Sequence, residues 1–293
     1  MTRILLVGKN GQIGWELLQT LGRIAIVFAP DRSELDVTSR ADVFRVLEAA
    51  RPDIVINATG YNDVDGAELN KEDAVSVNVT AHTFMTAAAC QLQAFYLTYS
   101  TDYVFDGQKK IPYVESDLVN PLNIYGKTKL DGEIAVANSG VNFLILRTSS
   151  VFSLRRPCFL TSFLKRTQQA AQIQVRSDLV SSPTSARYLA EITTQIVSMG
   201  KDRSFGWLSE RKGIYHLAGT GAASRFDWAR EIRDILKLNV ELLPSTYSDY
   251  PLGANRPMYS ALDSSSFFDT FHLPLRSWQK MIKDTLKDFY EEK

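Results

Sequence analysis

The chain has 293 residues, with 33 lysines and arginines balancing 33 aspartates and glutamates, so no net field draws it to nucleic acid or an anionic membrane. A small soluble ligand is the expected partner, and the length suffices to bury a full core in one large domain or two modest ones. Two cysteines, Cys90 and Cys158, supply neither a disulfide framework nor a paired metal or redox site, which favours a reducing compartment.

The first apolar run, residues 4–7, is too short for a signal peptide or a membrane span, and the expected location is the cytoplasm. Further β-branched or aromatic runs follow at 24–28, 54–56, 94–99 and 143–146, and the segments 12–21, 41–50, 81–92 and 125–137 between them carry apolar residues at helical spacing. Apolar strands joined by helices predict a Rossmann-type α/β fold, a doubly wound parallel sheet covered on both faces. Beyond residue 150 the alternation loosens. Helices are expected at 159–170, 186–199, 226–236 and 278–290, separated by serine-, proline- and glycine-rich stretches. The expected organisation is a dinucleotide-binding domain over 1–150 and a smaller C-terminal α/β substrate lobe over 151–293, with some later segments free to return to the main sheet.

The first strand runs into Gly8, Lys9, Asn10, Gly11, Gln12, Ile13 and Gly14, a GxxGxxG loop that opens a helix. Glycines there permit a tight turn and let backbone N–H groups approach a pyrophosphate at a helix N-terminus. Asp31, just after the second strand, is placed to bind a ribose 2′-hydroxyl and select NADH. Arg32 beside it and Lys9 in the loop would instead accept the 2′-phosphate of NADPH, the preferred reading. Asp36 and Val37 are candidates for the adenine end, and Ala58, Thr59 and Gly60 for the crossing at the sheet's carboxyl edge.

The fourth strand delivers Ser100, Thr101 and Asp102 to that same edge, where the Thr101 hydroxyl can orient a carbonyl oxygen. Tyr125 and Lys129, four residues apart on a predicted helix, share one face, so the ammonium can stabilise a phenolate and lower the tyrosine's pKa. That pair can move a proton.

Residues 8–17, 100–105 and 121–130, continued by 147–149, 182–184, 213–217 and 256–257, together resemble the dTDP-4-dehydrorhamnose reductase family of extended short-chain dehydrogenases/reductases. The resemblance implies reduction of the C4 carbonyl of dTDP-4-dehydro-β-L-rhamnose by a nicotinamide cofactor, usually NADPH. It makes Tyr125 the proton donor, Lys129 the group that holds the nicotinamide ribose, and Thr101 the third member of the set. It also places Asp102 and Tyr103 against the sugar, Asn62 and Val64 across the cleft, and Arg256 near the diphosphate, although a structural arginine is the rival reading there.

Several departures bear on the sugar. Ser150 stands where relatives carry tryptophan, residues 157–159 replace an Asn-Asn-Phe segment, and residues 179–181 replace a polar-aromatic-glycine run. A different nucleotide-linked 4-keto sugar is therefore an alternative substrate. In some relatives magnesium bridges a dimer through two glutamates. Glu16 matches one, but Arg187 occupies the other position, so no metal is expected and the oligomeric state, a homodimer included, is left open. An epimerase or dehydratase of the same superfamily is disfavoured because Tyr103, not glutamate, follows Asp102. A non-catalytic regulatory subunit, like the β subunit of methionine adenosyltransferase, would have no need of the Thr101, Tyr125 and Lys129 set.

Overall fold

In the computed structural model, which describes residues 1–201, 205–249 and 253–291, the chain folds in the order β1 (Arg3–Val7), α1 (Gln12–Leu21), β2 (Ile26–Phe28), α2 (Arg40–Ala50), β3 (Ile54–Asn57), α3 (Val64–Leu69) and α4 (Lys71–Val75). A π-helical turn, Ser76–Thr80, leads into α5 (Ala81–Gln91), followed by β4 (Phe95–Thr101), α6 (Ile124–Ala137), β5 (Phe143–Thr148), β6 (Val151–Phe152), α7 (Phe159–Thr167), β7 (Gln172–Arg176), β8 (Val180–Ser181) and β9 (Thr184–Ser185). The remainder is α8 (Ala186–Lys201), α9 (Gly206–Ser209), β10 (Gly213–His216), β11 (Ala223–Ser224), α10 (Arg225–Leu236), β12 (Glu241–Ser245), α11 (Ser265–Phe271) and α12 (Trp278–Glu291).

Six strands form one parallel sheet in the order β10-β5-β4-β3-β1-β2. Successive side chains point to opposite faces, so the apolar runs divide between two cores. Ile4, Leu6, Ile56, Leu97 and Leu146 pack on one face with Leu17 of α1 and Leu189 and Ile196 of α8. Leu5, Val55, Tyr96 and Ile145 pack on the other with Val43 and Leu47 of α2 and Met85 of α5. Full burial contributes roughly 1.5–3 kcal/mol for each large aliphatic side chain. That explains why these strands read as continuous apolar runs rather than alternating ones.

The segment beyond residue 150 contributes to both layers. β10 pairs in parallel with β5, setting Gly213 opposite Leu144 and His216 opposite Arg147, and α8 shares a core with α1. The remaining C-terminal elements form three two-stranded pairings, β7 with β12, β8 with β11 and β6 with β9, around the aromatic cluster Phe152, Phe159, Phe163 and Trp228. β1 lies between β2 and β3, so the connection direction reverses there. The carboxyl ends of β1, β3, β4 and β5 open on that reversal point, where open α/β sheets bind ligands. Among the described residues no helix is long and apolar enough to cross a membrane.

Candidate active site

A cleft of about 850 Å³ runs along this carboxyl edge. Its lining includes Gly8 to Ile13, Asp31, Arg32, Asp36, Val37, Ala58 to Gly60, Asn62, Val64, Thr101 to Tyr103, Tyr125 and Lys129. Two of the residues singled out in the sequence are not on its wall. Gly14 lies beneath the loop, where a Cβ would stand 2.0 Å from the Gly8 carbonyl oxygen, so only glycine lets α1 start this close to β1. Arg256 is turned onto Asp65, with Nη2–Oδ2 at 2.8 Å and Nη1–Oδ1 at 3.1 Å. Its guanidinium, 13% exposed, ties the Ala254–Arg256 loop to α3. Without a ligand the cation is thus engaged by a carboxylate, the structural part that the sequence left as the rival reading.

At the dinucleotide end, Asp31 Oδ1 accepts from the Ser33 amide at 2.9 Å and the Ser33 hydroxyl at 2.6 Å, which hold its carboxyl below the usual range. Asp36 is held down in the same way by Thr38. Lys9 Nζ lies 3.8 Å from both Asp31 and Glu34, while Arg32 is exposed along the cleft rim. Both carboxylates are therefore turned toward their own turns, and Arg32 is an exposed cation on the cleft rim.

The reacting end is built on α6. The Asn123 side chain caps the helix by accepting from the Gly126 amide at 2.8 Å. A Cβ on Gly126 would meet the Tyr103 carbonyl oxygen at 2.2 Å, so glycine brings the helix hard against the end of β4. Asn78, in the π-helical turn, accepts from the Tyr61 amide at 2.9 Å and donates to Thr128 Oγ1 at 3.0 Å, tying α6 to the loop after β3. Such π-turns recur at functional sites.

Tyr125 lies beside the Thr101 hydroxyl, which lowers the phenol's pKa against the effect of burial, and stacks edge-on with Tyr103 at a centroid distance of 5.7 Å. Thr101 Oγ1 donates to Asp102 Oδ1 at 3.2 Å, and Asp102 Oδ2 accepts from Ser149 Oγ at 2.8 Å and Ser260 Oγ at 2.5 Å. Burial pushes the Asp102 carboxyl up against these three hydroxyls. Hydrogen bonds thus link Thr101, next to Tyr125, to a buried carboxyl.

Lys129 is buried and donates from Nζ to the Tyr99 carbonyl at 2.8 Å. Burial lowers its pKa to about 8, opposed by the charge of Glu133 one turn further on. Burial also pushes the Tyr125 phenol up. This corrects the expectation that the lysine directly lowers the tyrosine's pKa: desolvation outweighs it, and the ammonium is directed at a backbone carbonyl. Glu133 is itself held by Arg147, with Nε–Oε1 at 2.9 Å and Nη2–Oε2 at 2.6 Å, a bidentate pair buried between α6 and β5.

The family departures gather on one wall. Ser150, at φ 46°, bonds Ser181 Oγ to Oγ at 2.8 Å, so two of the altered positions touch. Ser150 and Pro157 line the cleft with Arg156 and Arg225, neither of which was singled out in the sequence. One signal for Arg225 was there: it stands at the first position of α10 after the Ser224 cap, where the helix dipole disfavours a cation. Glu133 and Ser260 gave no comparable signal, because their importance depends on what lies opposite. For the metal, Arg187 Nε stands 3.9 Å from Glu16 Oε2, so a cation occupies the place of a second acidic ligand and this pair does not fit magnesium.

A glycine loop at the β1–α1 turn of a parallel doubly wound sheet, with tyrosine and lysine on one helix facing a strand-end threonine, defines an extended short-chain dehydrogenase/reductase. The RmlD substrate binding domain model matches residues 1–291. A dTDP-4-dehydrorhamnose reductase of Burkholderia thailandensis is 33% identical, covering 99% of this chain and 100% of its own. Crystal structures of dTDP-4-dehydrorhamnose reductases superpose with TM-scores of 0.91 for Clostridium acetobutylicum (30% identity, 98% of this chain and 99% of that one) and 0.92 for Bacillus anthracis, solved with NADP (26% identity, 98% and 100%). The chain belongs to the dTDP-4-dehydrorhamnose reductase family.

Proposed function

We propose that the protein reduces the C4 carbonyl of a dTDP-4-keto-6-deoxy sugar with NADPH, its substrate being dTDP-4-dehydro-β-L-rhamnose and its product dTDP-L-rhamnose. The observation that carries this reading is that Thr101, Tyr125 and Lys129 line the same cleft as the glycine loop. Relatives bearing that activity in their names match the chain end to end. Residues 1–150 supply most of the dinucleotide-binding half and residues 151–293 mainly the substrate lobe.

The close packing of Gly14 under Gly8 fits a pyrophosphate laid on the α1 N-terminus, and Arg32 with Lys9 suits the 2′-phosphate of NADPH. The Bacillus anthracis relative bound to NADP supports the same choice. When bound, the nicotinamide supplies the hydride. Thr101 orients the carbonyl oxygen, and Tyr125 gives that oxygen its phenolic proton as negative charge develops there. The Lys129 ammonium, held by the Tyr99 carbonyl, offers its remaining N–H groups to the nicotinamide ribose. Asn62, Val64, Asp102 and Tyr103 border the sugar. These soluble reactants suit the cytoplasm.

The test is to follow nicotinamide absorbance with purified protein, NADPH or NADH, and a panel of dTDP-4-keto sugars. Turnover is expected with the rhamnose precursor and NADPH, and Tyr125→Phe should lower kcat by roughly 10²–10⁴-fold while leaving NADPH affinity unchanged. Tight NADPH binding with no turnover of any sugar refutes the reading. The contact between Ser150 and Ser181 favours one second reading, a related 4-keto sugar with a different ring substituent, which the same panel distinguishes.

A further inference from the structure

A second cavity, of about 380 Å³, adjoins the cleft and is lined by Phe159, Arg166, Gln174, Val175, Arg176, Arg225 and Ser245. Arg225 lines both cavities. Its guanidinium lies 4.9 Å from the ring centroids of both Phe159 and Trp228. Aromatic faces hold a cation in place without neutralising it. Among the described residues no carboxylate forms an ion pair with it, in contrast to Arg147 on Glu133 and Arg256 on Asp65. Placement at the first turn of α10 adds the positive end of the helix dipole to the charge of the side chain. Across the second cavity stand Arg166, exposed and anchored by Nη2 on the Gln174 carbonyl at 3.0 Å, and Arg176, whose guanidinium lies over Tyr247. Among the described residues three arginines and no carboxylate line this space. An aromatic-braced guanidinium in ion-pair contact with no described carboxylate, facing a cavity walled by two more arginines, suits a phosphoryl anion.

We propose that Arg225, with Arg166 and Arg176, forms an anion subsite that takes the diphosphate of the nucleotide sugar, so that the nucleotide arm leaves the reacting centre past Arg225 and through the second cavity. This assignment rests on the nucleotide-sugar reading above and gives Arg225 a share in gripping the diphosphate, Arg256 being paired with Asp65. It makes the nucleotide arm's grip depend on a residue of the same wall as Ser150 and Pro157, where the chain departs from its relatives.

Titration calorimetry of dTDP onto the full chain tests it without requiring turnover. Arg225→Met should weaken dTDP binding by roughly tenfold or more, the loss expected for a charged hydrogen bond, while NADPH affinity stays unchanged and reports an intact fold. Arg166→Met, on an exposed side chain, should weaken dTDP by about threefold or more without affecting NADPH. Unchanged dTDP affinity in Arg225→Met overturns the subsite, and unchanged affinity in Arg166→Met alone overturns the route through the second cavity. If no keto sugar is reduced but dTDP affinity depends on both arginines, the reductase reading fails and the subsite stands. If turnover proceeds while affinity is indifferent to both, the subsite fails and the reductase reading stands.

Discussion

Lys129 combines a charge with nearly complete burial, and its pH behaviour follows from that conflict. Burial lowers its pKa from 10.5 to about 8, so between those values the native state binds fewer protons than the unfolded chain. The cost of charging Lys129 is therefore full below about pH 8 and is relieved as pH rises from 8 toward 10.5. Urea unfolding should show the native sequence gaining on the order of 3 kcal/mol relative to Lys129→Met across that interval, at about 1.4 kcal/mol per unit. Activity should move the other way, with kcat falling as pH rises through about 8 and the ammonium is lost. A pH-rate profile flat to pH 10 would show that the proton relay does not use that charge. The spacing of Tyr125 and Lys129 was legible in the sequence. The bond to the Tyr99 carbonyl and the field of Glu133 were not, since both depend on elements distant in sequence or on burial.

At the level of elements, α6 carries Tyr125, Lys129 and Glu133 at successive turns of one face, and the face is fixed at its far end by the buried pair with Arg147 of β5. Arg147 also lies 5.3 Å from the Phe105 ring, and its Nη1 has no hydrogen-bond partner among the described residues. Removing the carboxylate strands a buried guanidinium, so Glu133→Ala should destabilise the protein by about 3–5 kcal/mol in urea unfolding. A loss below about 1 kcal/mol would mean that water replaces the carboxylate. The helix itself was predicted from its apolar spacing. The glycine that presses it onto Tyr103 and the π-turn asparagine that ties it to the β3 loop act through close approach, which local spacing does not encode.

Across the whole molecule, His82 and His216 are buried as neutral side chains. His82 Nδ1 lies 2.8 Å from Tyr96 Oη, and His216 Nδ1 lies 3.0 Å from the Tyr113 carbonyl. Burial lowers their pKa values to about 3 and about 4. The unfolded chain protonates both below about pH 6.5 while the native state does not, so stability falls on acidification through that range. Two such groups contribute a loss of about 4 kcal/mol between pH 7 and pH 5. Asp102 and Glu115, pushed up by burial, oppose this. The diagnostic quantity is therefore the difference between the native sequence and His82→Asn, whose stability should fall less steeply by about 2 kcal/mol over that interval. Equal slopes would show that His82 is not held neutral.

Local pattern by itself determined the parallel sheet and the glycine loop and offered Thr101, Tyr125 and Lys129 as candidates, because strand burial, loop conformation and helical spacing are properties of contiguous residues. Tertiary structure decided the rest. It drew β10 and α8 back to the first half of the chain, because an edge strand needs a partner and an apolar helix face needs cover. It turned Arg256 onto Asp65, raised the pKa of the Tyr125 phenol by burying it, and set Arg225 between two cavities with no ion pair among the described residues. Charge pairing and desolvation depend on which distant residues meet, and that meeting is settled only when the layers pack.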